Sequence, residues 1–492
     1  MSDDASTHHR LGQPEQLAQA EQLGQPELPD QPREPDRSSE SGLPTEPTQP
    51  KRGGFLTPAV WRWAMWDWGS AAFNAVVTTF VFATFLTNED LFGSNANSYL
   101  GWVLAAAGLF VAVIAPAVGQ WTDRTGKRNT TLTWATVGVV IIVGLLFFVE
   151  PDGGGGFMWL GLILLALGNI IFETGSVVYN STVSDISTKK NVGRVSGFGW
   201  GMGYVGGIVL LAILYVGFIA PDVGWFGVTS ENGMNIRVSM VIAAVWFLLS
   251  ALPLMIKGED REPSGDQTHG IFEAYRQVFR SIAAFWRSDR SVVWFLISSA
   301  IYRDGLAGVF SFGGVLAAAA FGFAADAVLI FGIAANVAAG MATIVFGRLD
   351  DARGSRAVIL LCLGTMVTVA FIIFFAHNGI DLGPIQLTPS AMFWIFGLIL
   401  CVFVGPTQSA SRTYLARIAP AGAEGELFGL YATTGRAVSF LSPFMYSTSI
   451  TLGASALGIS RGDAAYFGIL GIVLVLLVGL LAFIPVRAQK RA

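Results

Sequence analysis

Twelve runs of roughly twenty apolar residues fill this chain from residue 64 to residue 485. They cover 64–87, 98–121, 129–149, 157–180, 197–219, 236–256, 292–318, 325–347, 357–377, 390–411, 427–450 and 464–485. A helix needs roughly 20 residues to cross about 30 Å of hydrocarbon. In lipid every backbone N–H and C=O must be satisfied within the protein, which leaves helices and closed barrels. Barrel strands would alternate polar and apolar residues at every second position, and these runs are continuous. The expected fold is an all-α polytopic membrane protein with twelve transmembrane helices. Composition agrees, with 53% hydrophobic and 13% charged residues, against about 25% charged in soluble domains.

Lysine and arginine orient the helices, because they concentrate in cytoplasmic connections. The odd-numbered connections, 88–97, 150–156, 220–235, 319–324, 378–389 and 451–463, contain only Arg461, with Arg237 at a helix edge. The even ones and the C-terminus carry Arg124, Lys127, Arg128, Lys189, Lys190, Arg194, Lys257, Arg261, Arg348, Arg353, Arg356, Arg417, Arg487 and others. Both termini are therefore expected to be cytoplasmic, in a multi-pass protein of a bacterial-type plasma membrane. Single-cysteine labelling checks this. A cysteine at residue 155 should react with an impermeant maleimide from outside and one at residue 265 only from inside; outside labelling at 265 would sink the topology.

The expected organisation is a disordered tail over 1–53, a six-helix bundle over 54–257, a linker over 258–291, a second bundle over 292–486 and a short tail over 487–492. The first tail is rich in Gln, Glu, Pro and Ser and buries too little apolar area to order itself. In the linker, Ile271, Tyr275, Val278, Ile282 and Phe285 share one helical face, with Arg276, Arg280 and Arg287 off it. That pattern suits a helix lying on the inner leaflet, or one packed under the bundles.

Two charged decapeptides repeat. `GQWTDRTGKR` (119–128) and `GRLDDARGSR` (347–356) share one spacing: Gly, three residues, Asp, two residues, Gly, one residue, Lys or Arg. Gly119, Asp123, Arg124, Gly126 and Arg128 fall between the second and third runs. Gly347, Asp351, Arg353 and Gly354 fall between the eighth and ninth. A second match at nearly the same offset pairs Gly193 with Gly425 and Gly197 with Gly429, and sets Asp185 opposite Arg417. Two matches argue for two pseudo-symmetric six-helix repeats about an axis along the membrane normal. Asp123 can sit against the start of the eleventh helix, near Phe428 and Gly429, and Asp351 against the start of the fifth, each facing a positive dipole end. Gly119 and Gly347 let helices approach closely. Such contacts favour the state closed to the cytoplasm.

Twelve helices, a long central connection and `G-x-x-x-D-R-x-G-K-R` in that loop resemble the major facilitator superfamily. The stretches `WDWGSAAFNAVVTTFVF` (66–82), `YNSTVSDIS` (179–187), `GRVSGFGWGMGYVGG` (193–207), `YRDGLAGVFSFGG` (302–314) and `ELFGLYATTGRAVSFLSPF` (426–444) resemble its vacuole-effluxer-like branch. The branch usually has Tyr-Asp-Trp where this chain has Trp66-Asp67-Trp68, and the second decapeptide lacks the Arg after its Asp. The resemblance implies the major facilitator fold, alternating access and amino acids as a candidate substrate class.

Ionisable groups inside a span are costly and mark pathways. Asp67 shares a face with Asn74 and either caps the first helix or lines a cavity. Glu173 shares one with Asn169. Arg303 and Asp304 are adjacent in the seventh run, Gln408 and Arg412 lie at the inner end of the tenth, and Arg436 lies in the eleventh. These nine residues form the expected solute or proton pathway. With no histidine deep in an apolar run, proton coupling would fall to Glu173, Asp304 or Asp67, with Arg303 or Arg436 as the partner of Asp304. No HExxH, GxSxG or nucleotide-binding loop occurs, and Cys362 and Cys401 sit singly in apolar runs. The chain is read as a non-enzymatic secondary transporter of a small polar solute, coupled to a proton or sodium. It is read as a monomer in lipid, without metal, cofactor or nucleic acid. The alternatives are an uncoupled facilitator and a non-transporting sensor or scaffold.

Overall fold

The computed structural model of the chain describes residues 55–93, 95–151, 155–263, 276, 280, 287, 290–381 and 386–487. The N-terminal tail, the amphipathic pattern over 271–285 (apart from residues 276 and 280) and residue 265 lie outside the described residues.

Among the described residues, ten helices are long and apolar enough to cross a membrane. They are α1 (Pro58–Leu86), α2 (Tyr99–Thr125), α3 (Arg128–Phe148), α4 (Gly156–Ile186), α5 (Val192–Ile219), α6 (Glu231–Lys257), α7 (Arg290–Phe321), α8 (Ile330–Arg353), α9 (Ser355–Phe375) and α10 (Pro389–Ile418). The eleventh crossing comes in two pieces, α11a (Glu424–Val438) and α11b (Leu441–Leu457), and α12 is Phe467–Phe483. Each falls on one of the apolar runs. The sole sheet among the described residues is a hairpin between α9 and α10, β1 (Ile380–Asp381) against β2 (Gln386–Leu387).

Local chemistry explains the ends and breaks. Thr57 caps α1, its Oγ1 accepting from Val60 N at 3.3 Å, and Pro58 takes the first helical position, where a missing N–H costs nothing. The helix therefore starts a turn and a half before the apolar run. Pro406 offers no N–H to the carbonyl four residues back, and α10 breaks at Phe403. Pro443 does the same to α11 at Ser439 and Phe440. Midway along α1, Phe73–Phe80 forms a wider π-helical turn, a feature that recurs at functional sites.

In the first half α1 packs on α5 and α6, and α4 on α2 and α3; in the second, α12 packs on α7, α9 and α11b. Between the halves the largest contacts are α2 with α11a and α5 with α8. The repeat maps α2 onto α8 and α5 onto α11, so one contact is made twice about the pseudo-axis. Small residues set its closeness, since lipid tails supply no hydrophobic drive between helices. α5 is lined with glycine on two faces. A β-carbon on Gly197 would stand 2.6 Å from the Thr343 carbonyl of α8, and one on Gly206 would stand 2.3 Å from the Trp68 carbonyl of α1. Bulk comes from aromatic stacks within each half: Trp66 on Tyr179 at 4.1 Å in the first, Phe295 on Tyr414 at 4.4 Å in the second.

Candidate functional site

At the end that carries the two charged turns, here the basic face, the halves meet backbone to backbone. A β-carbon on Gly119 would lie 2.0 Å from the Gly425 carbonyl oxygen, and one on Gly347 would lie 2.7 Å from the Gly193 carbonyl oxygen. One turn deeper, a β-carbon on Gly429 would lie 2.6 Å from the Ala115 carbonyl oxygen, and one on Gly197 as close to that of Thr343. All four contacts obey the sequence offsets.

Beside each glycine an aspartate closes the adjoining helix start. Asp123 Oδ2 accepts from Glu426 N at 2.9 Å, the first turn of α11a. That is nearer the helix start than Phe428 and Gly429, where the sequence reading put it. Asp351 accepts from Gly193 N at 2.8 Å and Arg194 N at 3.1 Å at the start of α5. The first four N–H groups of a helix lack internal partners and carry its positive end, so a carboxylate there is held by both terms. Gly126 (φ 71°) and Gly354 (φ 89°) end α2 and α8 in conformations that disfavour any β-carbon. Arg124 is half-buried and Arg353 exposed at these turns.

Arginines complete each contact, differently in the two halves. Arg128, fully buried, pairs with Asp123, with Asp185 at 3.1 Å and with Glu424 of α11a at 2.8 Å. In the second half Arg356 turns away to the Val486 and Ile484 carbonyls near the end of α12. Arg417, the counterpart of Asp185, supplies the cation instead, pairing with Asp350 at 2.5 Å and Asp351 at 3.1 Å. The charge reversal between Asp185 and Arg417 is thus a relocation of the cation, with Asp350 added to match it.

Deeper in, three polar clusters occupy the crossings. Arg412 of α10 reaches into the first half: Nη1 to Asn180 Oδ1 at 3.0 Å and to Asp67 at 3.5 Å, Nε to Ser196 Oγ at 2.9 Å, and Nη2 to the Ser196 carbonyl at 2.6 Å. Its guanidinium lies 4.7 Å from the Trp63 ring and 5.6 Å from Trp200. Asp67 is nine residues inside α1 and Thr57 is the cap, so the capping alternative for Asp67 fails. In the second cluster Arg436 of α11a pairs with Glu173 of α4, again across the halves, with 31% and 29% of their side-chain surface exposed. Arg412 and Asp67 keep only 4% and 18%, so exposure grows away from the basic face.

The third cluster lies within the second half. Arg303 donates to the Tyr431 carbonyl at 2.9 Å and covers its ring at 3.7 Å. Asp304, buried, accepts from Ser442 N at 2.5 Å, and its own carbonyl accepts from Ser442 Oγ at 2.9 Å. The carboxylate closes the start of α11b where Pro443 breaks the helix. Neither Arg303 nor Arg436 is its partner, a correction with a clear cause: both arginines are satisfied elsewhere on α11a and α4.

Of the remaining pathway residues, Gln408 accepts from Tyr204 at 3.3 Å, joining α10 to α5. Asn74 is exposed, its carbonyl accepting from Thr78 and Thr79, and Asn169 is half-buried on the face of Glu173. Sequence reasoning did not single out Glu424, Ser196, Arg417 or Arg261 for the site. Glu424 carried one usable signal, an acid in the first turn of a helix.

Two repeat-related halves that seal at one face and hold arginine–carboxylate pairs across their midplane define a transporter of the major facilitator class. Within that class the chain belongs to the Atg22-like family: the family described as "Vacuole effluxer Atg22 like" matches residues 92–491. An uncharacterised major-facilitator-type transporter of Bacillus subtilis, YxiO, is 22% identical over 432 residues, 86% of this chain and 94% of its own. Autophagy-related protein 22-1 of Aspergillus fumigatus is 22% identical over 265 residues, 51% of this chain and 42% of the fungal one. Among solved structures, the proton:xylose symporter XylE superposes with a TM-score of 0.60 at 16% identity, covering 88% of this chain and 95% of that one.

Proposed function

We propose that the protein is a secondary transporter that carries a small polar solute by alternating access, with the regions 54–257 and 292–486 rocking about a site between them. The observation that carries this reading is the pairing of Glu173 with Arg436 and of Asp67 and Asn180 with Arg412 across the two halves. A static scaffold gains little from buried ion pairs, because desolvation offsets most of their attraction. Charges that separate and re-form as the halves rock, and that a solute can replace, have a use for that near-balance. Amino acids are the first class to test, since a zwitterion offers both an acceptor for an arginine and a donor for a carboxylate. The proposed driver is a proton, the proposed setting a bacterial plasma membrane with both termini inside.

Uptake of labelled amino acids, small peptides and sugars by reconstituted protein, with and without an imposed pH gradient, tests the reading. Arg412→Lys keeps the charge and loses the fork that grips Ser196 and Asn180. Losing charge-assisted bonds worth about 1.5–3 kcal/mol each is expected to lower uptake about 10- to 100-fold. If no solute in the panel moves faster than in empty vesicles, the transporter reading gives way to a sensor or scaffold.

A further inference from the structure

The connection that leaves α6 does not run free across the basic face; residues 258–261 are tied down on the α2–α3 turn. Asn129 Nδ2 donates to the Gly258 carbonyl at 3.0 Å, Thr130 N donates to Asp260 Oδ1 at 3.0 Å, and Arg261 N donates to the Gly126 carbonyl at 2.9 Å. The fit is tight enough that a β-carbon on Gly126 would lie 2.0 Å from the Arg261 carbonyl oxygen. The strap delivers one side chain. Arg261 pairs with Asp185 of the first half through Nη2 and with Glu424 of the second half through Nη1, at 3.3 Å.

The two gates differ in how their charges are paired. In the second gate Asp350 and Asp351 face Arg417 and Arg194, two acids and two cations. In the first gate Asp123, Asp185 and Glu424 all pair with the one buried cation Arg128, and Arg261 brings a second cation to Asp185 and Glu424. Like-charged carboxylates this close repel one another. Glu424 sits on α11a and Asp185 on α4, so that repulsion pushes the halves apart at the face where they must seal. An isolated exposed pair contributes little. Arg261 is instead part of a network whose other members are largely buried, with side-chain exposures of 2% for Arg128 and 7% for Glu424.

We propose that Arg261 is a positioning residue of the transport cycle: the second cation of the first gate, carried in by the inter-half connection, which holds the basic face closed. Closure then depends on the docked strap. A force or ligand that lifts residues 258–263 off the α2–α3 turn releases the gate. The second gate, balanced within its own helices, needs no such strap.

The inference rests on the alternating-access reading, and its test avoids solute. Spin labels go on exposed positions flanking the gate, at Lys127→Cys and Ala421→Cys, with Cys362 and Cys401 replaced by alanine. Their distance distribution is read by double electron–electron resonance. Arg261→Gln is expected to raise the share of the long, open distance about tenfold, the ratio that one lost charge-assisted bond supplies. Arg261→Lys should fall between parent and glutamine variant. Adding Asp185→Asn to Arg261→Gln removes the surplus acid and should return the distribution to that of the parent. A strap acting only through its backbone would show no such rescue. A parental distribution in Arg261→Gln, or an open distribution that Asp185→Asn leaves untouched, overturns the proposal. Failure of the transport reading would show separately, as absence of solute movement with these distances unaffected.

Discussion

Gly119→Ala is expected to cost most of the transport activity, through a single methyl group placed in an otherwise intact helix. On propensity alone the change favours α2, since alanine is better than glycine in a helix interior by roughly 0.8–1.0 kcal/mol. Tertiary contact reverses the sign. The new carbon would lie 2.0 Å from the Gly425 carbonyl oxygen and 2.5 Å from its carbon, both backbone atoms of the facing half. Backbone cannot rotate aside as a side chain can, so the halves must separate. Overpacking of this kind costs about 1–3 kcal/mol, and the whole cost falls on the state closed at the basic face. That shifts the closed-to-open ratio about 5- to 150-fold, and a carrier that cannot close one side should lose uptake in proportion. Gly347→Ala, with 2.7 Å to the Gly193 carbonyl, is expected to do the same more weakly. Gly101→Ala on α2 meets nothing within 4 Å and serves as the control. The checks are uptake and the distance between labels at residues 127 and 421. Parental behaviour in Gly119→Ala would mean that the seal is not part of the cycle.

The contact between the halves at the basic face was legible in the sequence because its requirements are local. Close backbone approach demands glycine, a helix start favours an acid, and a helix end in the left-handed region favours glycine again. Written twice at offsets of 228 and 232, those requirements pointed to α2 against α11 and α8 against α5 before any coordinates. The partners inside the crossings were not legible. Asp67 read as well as a cap as it did as a cavity residue, because only the start of α1 at Pro58 decides between them. Arg303 and Asp304 are neighbours, yet one serves Tyr431 and the other Ser442, a division set by the turn of α7 against α11. Arg356 matches Arg128 by position and not by partner. Side-chain reach across helices from distant parts of the chain decides such pairings, and no window of sequence contains it. The breaks at Pro406 and Pro443 were written in plain sight, and the continuous apolar runs hid them.

Glu173→Gln is expected to abolish accumulation against a gradient while leaving solute exchange in place. The three embedded acids differ in what they already hold. Asp304 closes the start of α11b through Ser442 and is buried within the second half, contacts that favour a structural role. Asp67 is the minor partner of an arginine held mainly by Asn180 and Ser196. Glu173 is paired across the halves with Arg436 and keeps 29% of its side-chain surface exposed, against 18% for Asp67. In the proposed proton-driven cycle, a proton on that carboxylate would remove the charge that holds Arg436. On that proposal the halves would then be free to rock, and the arginine free to take an acidic group of the solute. Glutamine keeps the size and hydrogen bonding of the side chain and stays neutral at every pH, so the proposed coupling step would be lost. Exchange, which needs no net proton, should persist within about fivefold, the cost of roughly 1 kcal/mol. Arg436 would be left without its counter-charge in that variant, and the double variant Glu173→Gln/Arg436→Gln separates the two effects: it should expose no unpaired charge and still fail to accumulate. Asp304→Asn, by contrast, should keep its pH-driven accumulation. The measurement is the steady-state ratio of solute inside to outside under an imposed pH gradient, alongside counterflow at equal pH. If Glu173→Gln concentrates solute with the pH dependence of the parent, protons are not coupled through this pair, and a sodium-driven or uncoupled carrier becomes the better description.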